Sequence, residues 1–151
     1  MDKIKKLIEL IKESNNIVFF GGAGVSTESG LKDFRSVDGL YNEKYDYPPE
    51  EILSHTFFIN KTDEFFRFYI DKLNTKNLKP NITHIVLSDL EKIDKIKAIV
   101  TQNIDGFHQE AGSKNVLEGK VAPGMDGYFD IVIDPKNTDV SIRYDLIYDI
   151  I

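Results

Sequence analysis

Three short clusters in this chain have the residue types and spacing to do chemistry. The first is Gly22-Ala23-Gly24, which follows the apolar run Ile17-Val18-Phe19-Phe20 and Gly21. A glycine turn at the end of a buried strand lets the backbone come close to a pyrophosphate, with amide donors toward the anion. The second is Asp33-Phe34-Arg35. Arg35 offers a bidentate donor for phosphate or a sugar hydroxyl, Asp33 a carboxylate that can fix it, and Phe34 a flat apolar face that can shield a reactive centre from water. The third is Gln102-Asn103-Ile104-Asp105, just past Ala98-Ile99-Val100. Amide and carboxylate groups at a strand's carboxyl end lie where α/β sheets hold ligands, and suit a nicotinamide and ribose hydroxyls.

Each cluster also has a plainer reading. The glycines can be a tight strand-to-helix connection, Asp105 a helix cap and Asn103 a turn former. The usual dinucleotide fingerprint is incomplete: Thr27 stands where its third glycine belongs, Gly30 comes late, and no acid ends a second strand about 20 residues on. An ordinary dehydrogenase is disfavoured.

The elements that must position these clusters are written in the hydrophobic pattern. Ile4, Leu7, Ile8 and Ile11 fall at i, i+3, i+4 and i+7, the stripe of an amphipathic helix that Ser14-Asn15-Asn16 ends. Ile17–Phe20 reads as a strand buried on both faces. Phe34 to Pro49 is aromatic, polar and turn-rich, a long surface loop of the kind that is usually functional. Asp63 to Leu73 predicts a helix with a broad apolar face, capped by Thr62 or Asn60. Asn81 caps a second helix with Ile82, Ile85, Val86, Leu90 and Ile93 on one side and Ser88, Asp89, Glu91 and Lys92 on the other. Ala98-Ile99-Val100 is a second buried strand, a short helix runs to Ala111-Gly112, and Val116-Leu117 is a weak strand. Gly119 to Gly127 reads as a junction. Phe129–Ile133 and Tyr144–Tyr148 are strand-like, separated by the turn text Asp134-Pro135-Lys136-Asn137.

Composition bounds the rest. The 151 residues are one domain's length, with 41% hydrophobic and 29% charged residues, enough to bury a core without staples. With 25 Asp and Glu against 19 Lys and Arg, the net charge of -6 argues against nucleic-acid binding and against an anionic membrane surface. Zero cysteines exclude disulfides, thiolate nucleophiles and Cys-ligated zinc. Neither a signal peptide nor a membrane span is evident, so a cytoplasmic location is the default expectation.

The longer strings carry more. Gly22-Ala23-Gly24-Val25-Ser26-Thr27-Glu28-Ser29-Gly30-Leu31-Lys32-Asp33-Phe34-Arg35-Ser36 resembles the first signature of the sirtuins, the NAD-dependent protein-lysine deacylases. Thr101-Gln102-Asn103-Ile104-Asp105-Gly106-Phe107-His108-Gln109-Glu110-Ala111-Gly112 resembles their second, with Pro80-Asn81 and His84 between them in the family's order. The likeness covers roughly Ile4 to Glu118. It implies an α/β fold, a truncated Rossmann-type parallel sheet flanked by helices, forming one sirtuin-like (DHS-like) NAD-binding domain over residues 1–151. It also implies an NAD surface made of Gly22, Ala23, Gly24, Thr27, Asp33, Phe34, Arg35, Tyr41, Gln102, Asn103, Ile104 and Asp105, with supporting catalytic roles for Asn103 and Asp105. In a weaker match Ile131-Val132-Ile133-Asp134 is a late strand of the family, and Asp134 joins the cofactor residues near a ribose hydroxyl.

The departures from the family pattern are specific. In the family, acetyl-lysine oxygen attacks the ribose carbon, nicotinamide leaves, and a histidine within Leu-His-Gly then activates a ribose hydroxyl. Here Leu117-Glu118 runs into Gly119-Lys120 and that histidine is missing. His55, His84 and His108 all have other readings, and Glu118 is a formal candidate base of still lower standing. The four-cysteine zinc ribbon cannot exist, so no zinc is expected. The simplest account is an internal deletion with its junction near residues 119–128. Lys32 stands where the family usually has proline, which frees a backbone torsion of the loop. Three functions stay open. The chain binds NAD or ADP-ribose without deacylating; or it remains a deacylase or NAD-cleaving enzyme with a surrogate base, taking an acetyl-lysine protein; or it is a partner-dependent fragment that self-associates through exposed sheet edges.

Overall fold

A computed structural model describes residues 2–118 in full and, of the remainder, the strand backbones 128–133 and 140–145. Helix α1 (Lys3–Glu13) starts at Asp2, whose carboxylate accepts from the Ile4 amide at 3.2 Å, and stops at Ser14. Its carbonyl end is tied down by a residue far along the chain. Lys95 Nζ donates to the carbonyls of Ile11 (3.2 Å), Lys12 (2.5 Å) and Ser14 (2.9 Å), placing a cation on the helix's negative pole.

Strand β1 (Ile17–Gly21) runs into a 3₁₀ segment, Ala23–Ser29. Four helices follow the loop: α2 (Pro49–Ile52), α3 (His55–Asn60), α4 (Thr62–Lys72) and α5 (Ile82–Lys92). Strand β2 (Ile96–Thr101), helix α6 (Phe107–Glu110) and strand β3 (Val116–Glu118) complete the first body. Its sheet is parallel with order β1-β2-β3, and the register aligns Gly21 with Thr101 and Thr101 with Glu118. All three strands therefore end level, and the turns after β1 and β2 share one rim. Strands β4 (Tyr128–Ile133) and β5 (Val140–Asp145) pair antiparallel, Ile133 opposite Val140. This is the α/β architecture that the resemblance implied: a short parallel sheet with helices around it.

The core has two centres. Leu87, Ile96 and Ile99 pack with Ile17, Phe19, Leu90 and Val116 beneath the sheet, while Ile52, Phe57 and Phe68 pack with Tyr45, Tyr47, Leu53 and Phe65 among the short helices. Burying such side chains contributes about 1.5–3 kcal/mol each.

Several expectations are corrected. β1 is an outer strand of its sheet and only half-buried; β2, the middle strand, takes the buried role. No residue of α1 is buried, and Ile4 is 66% exposed. In α5 the apolar stripe faces outward except for Leu90, with Ile82 at 63% exposure, whereas His84, Leu87 and Ser88 are buried. Contacts reaching α5 from elsewhere in the chain set that rotation. Asn81 caps the helix as expected, but its side-chain amide also donates to Val25 O at 2.7 Å. Glu91, assigned to the solvent face, accepts from the amides of Lys114 and Asn115 ahead of β3. Neither expected residue caps α4. Thr62 Oγ1 donates back to Phe58 O and Asn60 Nδ2 to Thr56 O, because α3 immediately precedes α4 and offers those carbonyls. The loop after Phe34 is shorter in irregular structure than expected, since Leu40–Asn42 forms a 3₁₀ turn and Pro49 begins α2. The last strand begins at Val140 rather than Tyr144, as the antiparallel register with β4 requires; residues 146–148 of the expected strand lie outside the described ones. Gly112 does end α6, at φ +103°.

Candidate functional site

The level strand ends and the loop above them enclose an open cavity of about 1340 Å³. Its lining includes Gly22, Ala23 and Gly24 from the turn after β1, Asp33, Phe34, Arg35 and Tyr41 from the loop, and Gln102 to Asp105 after β2. The sequence candidates thus converge on one place, with two exceptions. Thr27 is not in the lining; its hydroxyl donates to Gly24 O at 2.9 Å and holds the 3₁₀ segment. Asp134 lies outside the described residues.

The floor is a hydrogen-bonded network. Ser26, buried at 1% exposure, donates from Oγ to Asp105 Oδ2 at 2.7 Å. Asn103 Nδ2 donates to both, to Ser26 Oγ at 3.2 Å and Asp105 Oδ2 at 3.1 Å. The other carboxylate oxygen, Asp105 Oδ1, accepts from the Phe107 amide at 3.0 Å. The N-cap of α6 is Gly106 rather than Asp105, whose carboxylate instead braces the turn ahead of the helix and joins the network at the cavity floor. Beneath it stands His84. Its Nδ1 accepts from the Asn81 amide at 3.2 Å, which puts the proton of the neutral ring on Nε2, 3.5 Å from Ser26 Oγ. Burial lowers the pKa of His84, opposed in part by the Asp105 carboxylate. His108 lies behind it, ring centroids 4.7 Å apart, with its pKa pushed down to about 4 by burial and by the neighbouring His84.

The wall is the loop. Asp33 Oδ1 accepts from the amide and hydroxyl of Ser36, which lowers its pKa, and no ion pair joins Asp33 to Arg35 among the described residues. The expectation that Asp33 fixes Arg35 is therefore corrected: Asp33 closes its own turn. Leu40 N donates to Asp33 O at 2.8 Å and Tyr41 N to Phe34 O at 3.0 Å, and the Phe34 and Tyr41 rings meet at 5.5 Å. Gly39 is obligatory in this ring, since a Cβ there would sit 2.8 Å from Asp33 Oδ1 and 2.9 Å from Arg35 N.

Sequence reasoning gave no role to Ser26 or His84 in this network, nor to the α4 side of the cavity, where Phe65, Tyr69 and Leu73 contribute an apolar wall. Ser26 lay within the quoted signature, so the signal was present there. For α4 there was none beyond its aromatic content. His55 is exposed at the start of α3, and Glu118 accepts from Gln109 Nε2 at 2.6 Å.

Fold and site together define an α/β domain with a ligand cavity at the carboxyl ends of its parallel strands. The sequence profile of the Sir2 family matches residues 22–122. An NAD-dependent protein deacetylase of Clostridium perfringens is 64% identical over 119 residues, covering 78% of this chain and 49% of that protein; one of Clostridium tetani is 61% identical over 120. A solved Sir2 enzyme superimposes with a TM-score of 0.71 at 40% identity, covering 87% of this chain and 50% of that one. A Sir2 homologue in complex with ADP-ribose gives a TM-score of 0.68 at 37% identity, covering 78% and 46%. The chain belongs to the Sir2 family, the sirtuins, whose cofactor is NAD. It spans about half the length of the curated relatives it matches.

Among the described residues no helix is long and apolar enough to cross a membrane, and no group of three or more His, Asp or Glu could hold a metal ion.

Proposed function

We propose that this chain binds NAD or ADP-ribose at the cavity and is deficient in deacetylation, as a single shortened domain joined near residues 119–128. The observation that carries the reading is the meeting of the Gly22–Gly24 turn, Arg35 and the Ser26–Asn103–Asp105 network around one cavity. The donor set fits the cofactor's parts. Gly22 starts the 3₁₀ segment with no side chain to cap its first amides, which leaves them open toward a pyrophosphate. Lys32 and Arg35 supply positive charge beside it. Asn103 and Asp105, preorganised by Ser26, offer an amide and a carboxylate to ribose hydroxyls or a carboxamide. Bound NAD would supply an electrophilic ribose carbon with nicotinamide as its leaving group. Phe34 and Tyr41 would then cover that carbon and exclude water.

Among the described residues no histidine lines the cavity, which supports the deficiency. His84 and His108 are buried and neutral, His84 is already committed to Asn81 and Ser26, and His55 is exposed on α3. Losing a general base typically costs about 10²–10⁴ in rate. A calorimetric melt with and without millimolar NAD tests the binding: ligand at 100 times its Kd adds about 2.7 kcal/mol of stability. A transition indifferent to NAD and to ADP-ribose overturns the reading. Mass spectrometry of an acetyl-lysine peptide incubated with NAD is expected to show no deacetylated product; product would restore the active enzyme with a surrogate base.

The outward stripes of α1 and α5 favour a second reading, a fragment that associates with itself or a partner to cover Ile4, Leu7, Ile82 and Ile93. Concentration-independent, cooperative unfolding of a monomer would sink it.

A further inference from the structure

The cavity wall is bracketed by an ion pair, Lys32 in the cavity lining and Glu43 outside it. Lys32 precedes the closed turn of Asp33 to Asn42 and Glu43 follows it, and Lys32 Nζ meets Glu43 Oε1 at 2.5 Å. The other oxygen of the same carboxylate, Oε2, takes Lys72 Nζ at 2.8 Å, in the last turn of α4. Glu43 and Lys72 side chains are 19% and 24% exposed, less than the Arg67 pairs elsewhere on α4, whereas Lys32 at 50% stays open to water and salt. Lys72 Nζ also holds Asp71 at 3.1 Å, and Tyr45, two residues past Glu43, packs edge-on against Phe68 at 5.1 Å. Glu43 itself does not line the cavity, whereas Asp33, Phe34, Arg35 and Tyr41, all within the bracketed turn, do.

We propose that Glu43 is a positioning residue, which pairs with Lys32 and Lys72 at once and so fixes the Asp33–Asn42 turn against the nucleotide cavity. A proline at position 32 would hold the loop by restricting a torsion; here an ion pair across its neck does so, and the restraint becomes sensitive to charge and salt. This rests on the nucleotide reading for its consequence, but the restraint itself can be read without ligand.

The test uses the full chain. Amide exchange at Leu40 and Tyr41, whose N–H groups close the turn, is compared in the wild type and Glu43→Gln at low and at about 0.5 M salt. Exchange is expected to rise about three- to ten-fold in the variant, and in the wild type at high salt to approach the variant, as pairs of this kind allow. Titration with ADP-ribose at low salt should show a loss of affinity of about the same factor, with Lys72→Arg retaining affinity and Lys72→Met losing it. An unchanged melting temperature separates this from general destabilisation. Unaltered exchange in Glu43→Gln overturns the clamp whatever the binding data show. If exchange responds but the wild type takes no ADP-ribose, the nucleotide reading fails, and with it the role in affinity.

Discussion

The floor and the wall of the cavity are held by different physics. The floor is made of neutral or singly charged groups on strand ends and a helix start, joined by short hydrogen bonds across long sequence separations: Ser26 to Asp105, Asn103 to Ser26, Asn81 to Val25. The wall is an excursion from the chain that closes on itself and leans on α4 through aromatic edges and ion pairs that range from partly sheltered to well exposed. A buried network tolerates few arrangements, because an unpaired group there costs about 1–3 kcal/mol. Surface pairs are worth about 0–1 kcal/mol each and give way to salt. The floor is therefore the stiffer of the two, and the wall is the part that salt can loosen.

Removing the wall's apolar anchor is the largest way to break this comparison. Phe68 is fully buried against Ile52, Phe57 and the Tyr45 ring, and Phe68→Ala is expected to cost about 3–5 kcal/mol in urea unfolding. Exchange of the Leu40 and Tyr41 amides should rise at urea concentrations where the Ile99 amide, paired to Asn115 O beneath the sheet, stays protected. Simultaneous loss at all three would mean that floor and wall are one cooperative unit.

Acid acts on the floor instead. His108 is buried with its pKa pushed down to about 4 and neither ring nitrogen bonded, and His84 beside it is lowered as well. In the unfolded chain a histidine takes its proton near pH 6.5, so between about 6.5 and about 4 the unfolded state binds more protons than the fold. Stability is then complete above pH 6.5 and falls as the pH drops through that window, by about 3 kcal/mol for His108 alone. Urea midpoints measured from pH 7.5 to 4.5 check it, and His108→Gln should flatten the slope. A slope that His108→Gln leaves unchanged would place the acid sensitivity elsewhere.

The same contrast explains what the sequence could reveal. Strand, glycine turn and helix cap are local chemistry, and Ile17–Gly21, Asn81 and Gly112 were readable because each acts within a few residues of itself. The rotation of α5 was not. Its isoleucines repeat with a clean helical period, yet the buried side is the one carrying His84 and Ser88, since His84 answers to Ser26 from 58 positions away. Helices α2 and α3 lie between the Phe34–Pro49 loop and the helix expected from Asp63, where four- and six-residue helices have no periodicity to display. The ties from Lys95 to α1 and from Glu91 to the turn before β3 join residues that no spacing rule connects.

The smallest effect should come from the outermost wall pair. Arg67 Nη2 meets Glu64 Oε2 at 2.5 Å and Asp46 Oδ2 at 3.3 Å, with all three side chains well exposed. Only the Asp46 contact crosses from loop to helix; the Glu64 contact stays within one turn of α4 and does nothing to place the wall. Arg67→Met removes both charges' partner while keeping an apolar stem, and is expected to cost less than about 1 kcal/mol at low salt and nothing measurable at about 0.5 M. The double-mutant cycle with Asp46→Asn isolates the crossing pair, and its coupling should be smaller than that of Glu43 with Lys72. A larger coupling at Arg67 would move the hinge of the wall from the neck of the loop to its far end, and salt would then loosen residues near Asp46 before it loosened those around Phe34.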